Sequence, residues 1–401
     1  MRIVAANIAF REELFYKRWR EFATKYNISV TLVGPQSYTY KKAGTPMTFN
    51  PKELDEGNFQ VKHVNMKQKK WLRNDWLSLK FFSILMRSKP DIIYLIGYET
   101  KNVVFLSQLY RIFFKRDVKI GLFTMRGIDL PLHGIEYRTR WTLSKNIFDF
   151  VNVHYPHGKS IIENQGKYTG PIQLQTQIGV DKDIFHPNDE QRQRLRQKYG
   201  IDENTTVFSS AIRIEDEKGV LDIIDACYII KDMNYKYLLM GDGVDFGKVK
   251  AKIYSLQLEN KIILTGRVKA GPNVAAHLNA TDCFVHVPKT TKKWVDTFPL
   301  AVVQAMATGL PVIGSDSGAV PYQLGDHGFI VPEKSPKAIA EKMRFVMNNR
   351  DISKERGNDL LKRVLDSFEI KHLNECLYQT FTGVLEENNN KLIKDQVNAF
   401  K

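Results

Sequence analysis

The sequence has few cysteines and no long hydrophobic run, and both absences restrict what the protein can be. Its three cysteines, Cys227, Cys283 and Cys376, are widely separated and lack CxxC spacing. This excludes a disulfide framework and a thiolate metal site, and we expect a reducing, cytoplasmic compartment. No window approaches ~20 uninterrupted apolar residues, so the sequence predicts no transmembrane span. The short apolar run in residues 1–10 is predicted to be a first β-strand rather than a signal peptide, because charged residues follow it directly.

The sequence is basic, and its positive charge is concentrated in the first half. The formal net charge is +15 at pH 7; residues 1–175 carry 28 Lys+Arg and 14 Asp+Glu, whereas the remaining 31 basic and 30 acidic residues nearly cancel. A basic half predicts a polyanionic partner, which could be anionic lipid, nucleic acid or a phosphorylated substrate, while a solubilising surface is the plainer interpretation. No recognised nucleic-acid motif accompanies the charge, so we expect no nucleic-acid partner.

Strands and helices alternate along the chain, which predicts an α/β fold with mostly parallel sheets. We expect two Rossmann-like domains that face each other across a cleft, with ligands at the C-terminal ends of the strands. The predicted divisions are a first domain over 1–175, a second over 176–380 and a C-terminal tail over 381–401. In the second domain, strands are predicted at 207–212, 236–240, 261–265, 283–287, 311–314 and 328–331, helices near 219–232, 245–256, 273–279, 299–308 and 335–348, and a final helical region at about 353–387.

Arg213 and the pair Lys218-Gly219 flank a turn between a predicted strand and a predicted helix. A diphosphate is bound by cations and backbone N–H groups, and a helix N-terminus supplies such groups together with a favourable dipole. Taken alone, the two cations would be interpreted as ordinary surface charges. Their position makes them candidates for phosphate binding.

Glycines end the next two predicted strands. Gly241 and Gly243 lie where one strand becomes a loop, and Gly266 ends the other. Glycine permits close approach of a ligand to the backbone, or a positive φ angle, although an ordinary turn explains these glycines equally well. The backbone just after Gly266, at Arg267 and Val268, is a candidate for hydrogen bonds to a nucleotide base.

The strongest pattern lies within residues 294–321. Asp296 and Thr297 stand in a loop ahead of a helix that is predicted to begin near Pro299, a favoured first-turn position, and either side chain could cap this helix. Gln304 falls about two turns into the helix. It stands among apolar neighbours, where a polar side chain needs a partner.

Three segments, in order and at the right spacing, resemble the retaining GT-B glycosyltransferases of family 4, and the resemblance covers 178–332. Residues 178–187 resemble the linker N-G-V-D…F-x-P. Residues 212–219 resemble the pattern G-R-x(4)-K-G, and residues 296–312 resemble E-x-F-G-x(4)-E-A-M-A-x-G-x-P-V. The sequence departs from these patterns with Ile178 for asparagine, Ile212 for the first glycine, and Asp296 and Gln304 for the two glutamates.

The resemblance implies a function for each of these residues. Arg213 and Lys218 would bind the donor diphosphate and stabilise the leaving group, and Asp296 would contact hydroxyls of the donor sugar. Gln304 would replace the glutamate that binds the ribose hydroxyls, and an amide accepts hydrogen bonds less strongly than a carboxylate. The backbone expected near the phosphates or the sugar is that of Thr297, Phe298 and Pro299.

The first half resembles the family only in its alternation of predicted strands and helices. The family's glycine-rich turn after the first strand is replaced by a turn that begins at Asn7. Where many members have His-Gly-x-Asp, this sequence has Arg126 and, three residues later, Asp129. Arg126 could bind an acceptor phosphate but cannot act as a base, because arginine does not deprotonate. His133 follows nearby and could approach the cleft, although a lone histidine is more often structural.

Cations and aromatic residues are mixed at 15–20, 67–71 and 110–116 in the first half. Such stretches can lie on an anionic membrane, with rings at the interface and cations on the headgroups. Most of these rings are instead expected to face the core, with 67–71 as the exception.

The sequence therefore predicts a retaining glycosyltransferase that moves a sugar from a nucleotide sugar to an acceptor hydroxyl. The basic first half favours a lipid-linked or membrane-borne acceptor, in glycolipid, capsule or glycan assembly, at the inner face of a membrane. No metal and no cofactor besides the nucleotide sugar are expected. Two alternatives stay open: a soluble transferase for a small phosphorylated acceptor, and a catalytically silent nucleotide-binding protein on the same fold.

Overall fold

The computed structural model describes residues 1–7, 9–10, 13–36, 38–40, 47–49, 52–64, 79–97, 99, 101–129 and 133–386. The chain divides into two compact units. The first comprises Met1–Gln177 together with Leu373–Lys401, and the second comprises Ile178–His372.

The first unit is built on a sheet with strand order β10-β9-β8-β7-β1-β2-β6-β5 among the described residues. All neighbouring strands are parallel except β5 and β6, and β3 and β4 form a separate antiparallel pair. The strands are β1 (Arg2–Ala6), β2 (Ser29–Pro35), β3 (Tyr38–Tyr40), β4 (Met47–Phe49), β5 (Leu54–Glu56), β6 (Phe59–Val64), β7 (Ile92–Ile96), β8 (Lys119–Thr124), β9 (Phe150–Val153) and β10 (Ile172–Leu174). The helices are α1 (Glu13–Tyr26), α2 (Leu79–Ser88), α3 (Asn102–Phe113), α4 (Ile135–Ser144) and α5 (Pro156–Ser160), which continues into a π-helical turn at Ile161–Gln165.

The second unit has a fully parallel sheet in the order β13-β12-β11-β14-β15-β16. Its strands are β11 (Thr206–Ala211), β12 (Tyr235–Met240), β13 (Ile262–Gly266), β14 (Cys283–His286), β15 (Val312–Ser315) and β16 (Phe329–Val331). Its helices are α6 (Asp189–Lys198), α7 (Val220–Ile229), α8 (Phe246–Ser255), α9 (Pro272–Asn279), α10 (Leu300–Ala307), α11 (Val320–Leu324), α12 (Pro336–Asn348) and α13 (Arg350–Ser367).

The predicted division at 380 is wrong, because the chain returns to the first unit at Leu373. The last helix, α14 (Ile370–Leu385), buries Leu377 and Phe381 in the hydrophobic core of the first unit. Thr380 donates its hydroxyl to Gln173 Oε1 at 2.6 Å in the same unit. An apolar helix face is stabilised by the core against which it packs, so α14 belongs with the first unit.

Each sheet has the strand order of a Rossmann-like domain. In the second unit the chain runs outward from β11 through β12 to β13 and then returns to β14 on the other side of β11. The direction of winding therefore reverses between β11 and β14, and open α/β sheets bind ligands outside the carboxyl ends of the strands at such a point. The first unit reverses in the same way between β1 and β7.

Candidate functional site

The loops that leave β11 and β14 come together at the point where the strand order reverses. A short 3-10 turn at Asp216–Lys218 follows β11, and Gly219 then adopts a φ of 71° before α7 begins. A Cβ on Gly219 would collide with the backbone oxygen of Val287, which directly follows β14. Only glycine combines this φ with so close an approach, so it allows Lys218 to lie beside the loop after β14.

Lys218, Asp296 and His286 form one buried cluster at this edge. Lys218 Nζ lies 2.6 Å from Asp296 Oδ2, and His286 Nε2 lies 3.0 Å from the same oxygen. The three side chains are 12%, 10% and 2% exposed, respectively. Lys218 Nζ also lies 4.5 Å from the centroid of the Trp294 ring. This ion pair is therefore largely withdrawn from water and strongly oriented.

The protonation states in the cluster follow from these contacts. Burial by itself would raise the pKa of the Asp296 carboxyl, but the hydrogen bond from His286 and the charge of Lys218 outweigh it and hold this pKa well below its usual value. Burial lowers the pKa of His286, and Asp296 opposes this only in part. The ring is therefore neutral at pH 7. Because a carboxylate only accepts hydrogen bonds, Nε2 carries the ring proton and donates it to Asp296.

Arg213 and Lys289, in the same loops, each have a carboxylate partner. Arg213 donates to Glu215 Oε1 at 2.7 Å; its side chain is 39% exposed, whereas that of Glu215 is 8% exposed. Lys289, which belongs to none of the sequence patterns, lies 3.4 Å from Asp216 Oδ1 and 3.2 Å from Asp222 Oδ2. The site thus combines cations with nearby carboxylates rather than presenting bare positive charge.

The predicted glycines differ in what they do. Gly241 and Gly243 approach the backbone oxygens of Ile212 and Ile214 so closely that a Cβ would clash with them. These two glycines therefore shape the loop against the segment that carries Arg213. Near Gly266 an added Cβ would meet nothing, and its backbone oxygen accepts from the Gly241 N–H at 2.9 Å. The two residues that follow it are Arg267, which is exposed, and Val268, which is half-buried.

Neither Asp296 nor Thr297 caps α10, although the sequence allowed for this. The residue that precedes α10 is Pro299, and no side chain caps the helix; Asp296 instead accepts hydrogen bonds from Lys218 and His286. Phe298 packs in the core, with its ring 5.4 Å from that of Phe368. Thr297 and Gln304 are half-buried, so the Gln304 amide is less enclosed than its apolar neighbours suggested.

In the first unit the structure brings together two of the four predicted acceptor-side residues. Arg126 is buried and donates hydrogen bonds to Glu99 Oε1, at 2.5 Å, and to the Tyr137 hydroxyl. Its guanidinium also lies 2.7 Å from His133 Nε2. Burial lowers the pKa of His133, and the charge of Arg126 adds to this effect. The anion that Arg126 binds in this structure is therefore Glu99, which belongs to none of the sequence patterns.

The other two predicted acceptor-side residues have separate local contacts. Asp129 Oδ1 accepts from Gln165 Nε2 at 2.9 Å and lies 3.6 Å from His157 Nε2. Asn7 Oδ1 accepts from the backbone N–H of Ala9 at 2.7 Å and shapes the turn after β1.

A metal centre and a membrane-spanning helix would each need a particular geometry in the described part of the chain. Across these residues, no three or more His, Cys, Asp or Glu side chains are arranged to hold a metal ion. None of the helices in the same ranges is both long and apolar enough to cross a membrane. A cavity at the opposite, N-terminal edge of the second sheet is lined by Thr206, Asp282 and Pro311, among others, and contains none of the cluster residues.

A family model described as "Glycosyl transferases group 1" matches residues 191–362. Among curated relatives, N-acetyl-alpha-D-glucosaminyl L-malate synthase of Bacillus anthracis is 23% identical over 53% of this chain and 54% of its own length. The putative teichuronic acid biosynthesis glycosyltransferase TuaC of Bacillus subtilis (strain 168) is 25% identical over 65% of this chain and 64% of its own length. The chain thus spans less than two thirds of the length of these relatives.

Solved structures match nearly the whole chain. A glycosyltransferase from Rickettsia africae ESF-5 superimposes with a TM-score of 0.75 and 15% identity over 96% of this chain and 99% of that protein. Anabaena Alr3699/HepE in complex with UDP-glucose superimposes with a TM-score of 0.69 and 15% identity over 95% and 99%. At such identities the likeness concerns the fold, which is GT-B: two Rossmann-like domains.

Proposed function

Because residues 191–362 match the model of the Glycosyl transferases group 1 family and the chain has the GT-B fold, we propose that the protein is a retaining glycosyltransferase. It moves a sugar from a nucleotide-sugar donor to an acceptor hydroxyl and releases a nucleoside diphosphate. The acceptor is lipid-linked or membrane-borne, as expected for the assembly of a glycolipid, a capsule or another glycan. The protein would be a peripheral, metal-independent enzyme.

The observation that carries this proposal is the cluster of Lys218, Asp296 and His286 at the carboxyl ends of β11 and β14. Departure of a diphosphate develops negative charge, which preorganised cations stabilise in a site shielded from water. Lys218 and the more exposed Arg213 would supply these cations. Both hydrogen bonds within the cluster fall on Asp296 Oδ2, which leaves Oδ1 to accept from a hydroxyl of the donor sugar.

The comparisons support the donor class and the kind of product. A structural neighbour was solved with UDP-glucose bound, which supports a nucleotide sugar as the donor. The Bacillus subtilis relative is named for teichuronic acid biosynthesis. The basic first half of this chain would attract an anionic membrane or lipid-linked acceptor.

One observation favours a second candidate, a soluble transferase for a small anionic acceptor. The Bacillus anthracis relative is named for L-malate, a small acid, and Arg126 and His133 lie together in the first unit. Arg126, however, already binds Glu99 at 2.5 Å. An acceptor anion would have to compete with this carboxylate, so we favour the membrane-borne acceptor.

The test is a transfer assay with a panel of nucleotide sugars, with release of the nucleoside diphosphate as the readout. Removing a cation that stabilises the leaving group costs on the order of 10²–10³-fold in kcat, and we expect such losses for Lys218→Met and Arg213→Met. Lys250→Met is the matched control, because Lys250 is an exposed cation on α8.

The outcomes separate the candidates. Wild-type rates in both cation variants would overturn the assignment of the site. Nucleotide binding without turnover of any donor would favour the catalytically silent binding protein instead.

A further inference from the structure

Helix α3 presents an apolar face to solvent at its C-terminal end. Leu109, Ile112, Phe113 and the following Phe114 are all exposed, and the two phenylalanine rings are 71% and 54% exposed. With 3.6 residues per turn, residues 109, 112 and 113 fall on one side of the helix. The opposite side carries Val103, Val104, Ser107 and Tyr110, which are buried against the sheet. The exposed residues are therefore a second apolar face in addition to the one that stabilises the fold.

Helix α2 extends this surface. The Phe82 ring lies 5.5 Å from the Phe114 ring in an edge-on arrangement, which brings the first turn of α2 against the end of α3. Met86, one turn after Phe82, is also exposed. We name Met86, Leu109, Ile112, Phe113 and Phe114 the α3 face. Contiguous exposed apolar residues of this kind mark binding surfaces more often than chance exposure.

Cations border the α3 face. Lys89 and Arg116 are exposed, and the segments that carry them meet, because Lys115 Nζ is 3.5 Å from the backbone oxygen of Lys89. Lys115 and Arg111 are occupied by carboxylates, at 2.5 Å from Asp91 and 2.9 Å from Asp149. Lys89 and Arg116 are thus exposed cations in the segments that follow α2 and α3.

We propose that the α3 face docks on an anionic membrane surface, with Phe113 and Phe114 at the interface and Lys89 and Arg116 against the headgroups. Exposed aromatic and aliphatic side chains next to cations are the combination that holds a helix in the interfacial plane. The charge of residues 1–175, with 28 basic and 14 acidic side chains, is complementary to such a surface. A protein partner would require no such excess of positive charge.

The docking surface differs from what the sequence predicted. The mixed tract at 15–20 places Trp19 and Arg18 in buried positions, so it cannot lie flat on a membrane. The tract at 67–71 lies outside the described residues. In the tract at 110–116, Tyr110 is buried, whereas Phe113 and Phe114 at the end of α3 are exposed.

Flotation of the full-length protein with vesicles tests the proposal. We expect binding to vesicles that mix phosphatidylcholine with phosphatidylglycerol, little binding to phosphatidylcholine alone, and loss of binding at ~1 M salt, where charges are screened beyond about 3 Å. Phe113→Ser should lower the bound fraction about tenfold, since one interfacial ring is lost, and should leave thermal unfolding unchanged. Tyr254→Ser is the matched control, because Tyr254 is 74% exposed on α8 of the second unit.

The results that overturn the proposal are distinct from failure of the transferase assignment. Equal flotation of Phe113→Ser and wild type, or no binding to the anionic vesicles, refutes the membrane surface. A concentration-dependent dimer that Phe113→Ser abolishes would assign the face to a second copy of the chain and equally refute it. Donor turnover in solution does not involve Phe113, so its presence or absence tests the proposed function separately.

Discussion

Neutralising Asp296 should strengthen the binding of a nucleoside diphosphate while it weakens sugar transfer. In this structure, the charge of Lys218 is compensated by Asp296 at 2.6 Å. A diphosphate bound to Lys218 would therefore lie close to a carboxylate whose pKa is held well below its usual value. Asp296→Asn keeps the shape of the side chain and removes this repulsion. It also removes the carboxylate that would accept from the donor sugar.

The size of the effect follows from the geometry. A phosphate oxygen that accepts from Lys218 Nζ would lie about 2.8 Å from it, which places the anion roughly 5 Å from the carboxylate. At an effective dielectric constant of about 20, unit charges at this separation repel by about 3 kcal/mol. The phosphate stays partly solvated, so we expect about 1–2 kcal/mol, or roughly 5–30-fold tighter binding.

Isothermal titration with UDP and GDP measures this change directly. Asp232→Asn is the control with the same change of charge, because Asp232 is exposed and precedes β12 at the opposite edge of the sheet. A dissociation constant that is unchanged or larger in Asp296→Asn would refute the reasoning, since it would mean that the diphosphate does not bind at Lys218.

Two further predictions concern buried histidines. His286→Phe removes the N–H that orients Asp296. Since a hydrogen bond to a charged group contributes about 1.5–3 kcal/mol, the rate of sugar transfer should fall roughly tenfold or more. Because this hydrogen bond lowers the pKa of Asp296, the acid limb of the kcat/KM profile should move to higher pH. His286→Gln, which keeps a donor, should retain most activity, and equal loss in both variants would contradict the positioning of Asp296. His154 is buried, which lowers its pKa to about 3, so its stabilising contribution is complete above pH ~6.5 and is lost as the pH falls. At pH 5 this loss is about 2 kcal/mol, and urea unfolding of His154→Gln should show a correspondingly weaker pH dependence.

The secondary structure of the second unit could be predicted from the sequence because its signals are local. A strand was predicted at 236–240 and is found at Tyr235–Met240; helices were predicted at 273–279 and 335–348 and are found at Pro272–Asn279 and Pro336–Asn348. Apolar runs bounded by glycine and proline fix such elements within a few residues.

The end of the chain depends on distant contacts and was predicted less well. One helical region was expected at about 353–387, whereas α13 ends at Ser367 and α14 begins at Ile370. Between them, Val180 donates to the Phe368 oxygen at 3.0 Å and accepts from the Ile370 N–H at 3.1 Å. A residue almost 190 positions away in sequence interrupts the helix, and no local pattern contains that information.

In the candidate site, too, local features could be predicted from the sequence and long-range contacts could not. Lys218 and Asp296 could be chosen from motif spacing, but their direct ion pair could not, because it depends on how two loops meet. His286 ends an apolar strand and Lys289 follows a proline, so neither belongs to a recognisable pattern. A polar residue at the carboxyl end of the strand beside the reversal point is the signal that would have identified His286.

The pairing of Arg213, Lys218 and Lys289 with carboxylates affects which anions the site can bind. Arg213, Lys218 and Lys289 each have a carboxylate of the chain within 3.4 Å. An anion that binds one of these cations therefore competes with a carboxylate, and its binding free energy reflects only the difference between the two ion pairs. A singly charged anion attracts these cations no more strongly than Glu215 or Asp296 already does. A diphosphate carries more charge and can contact two cations at once, which favours it over a monophosphate. The carboxylates therefore reduce affinity for anions in general and raise the selectivity for a nucleoside diphosphate.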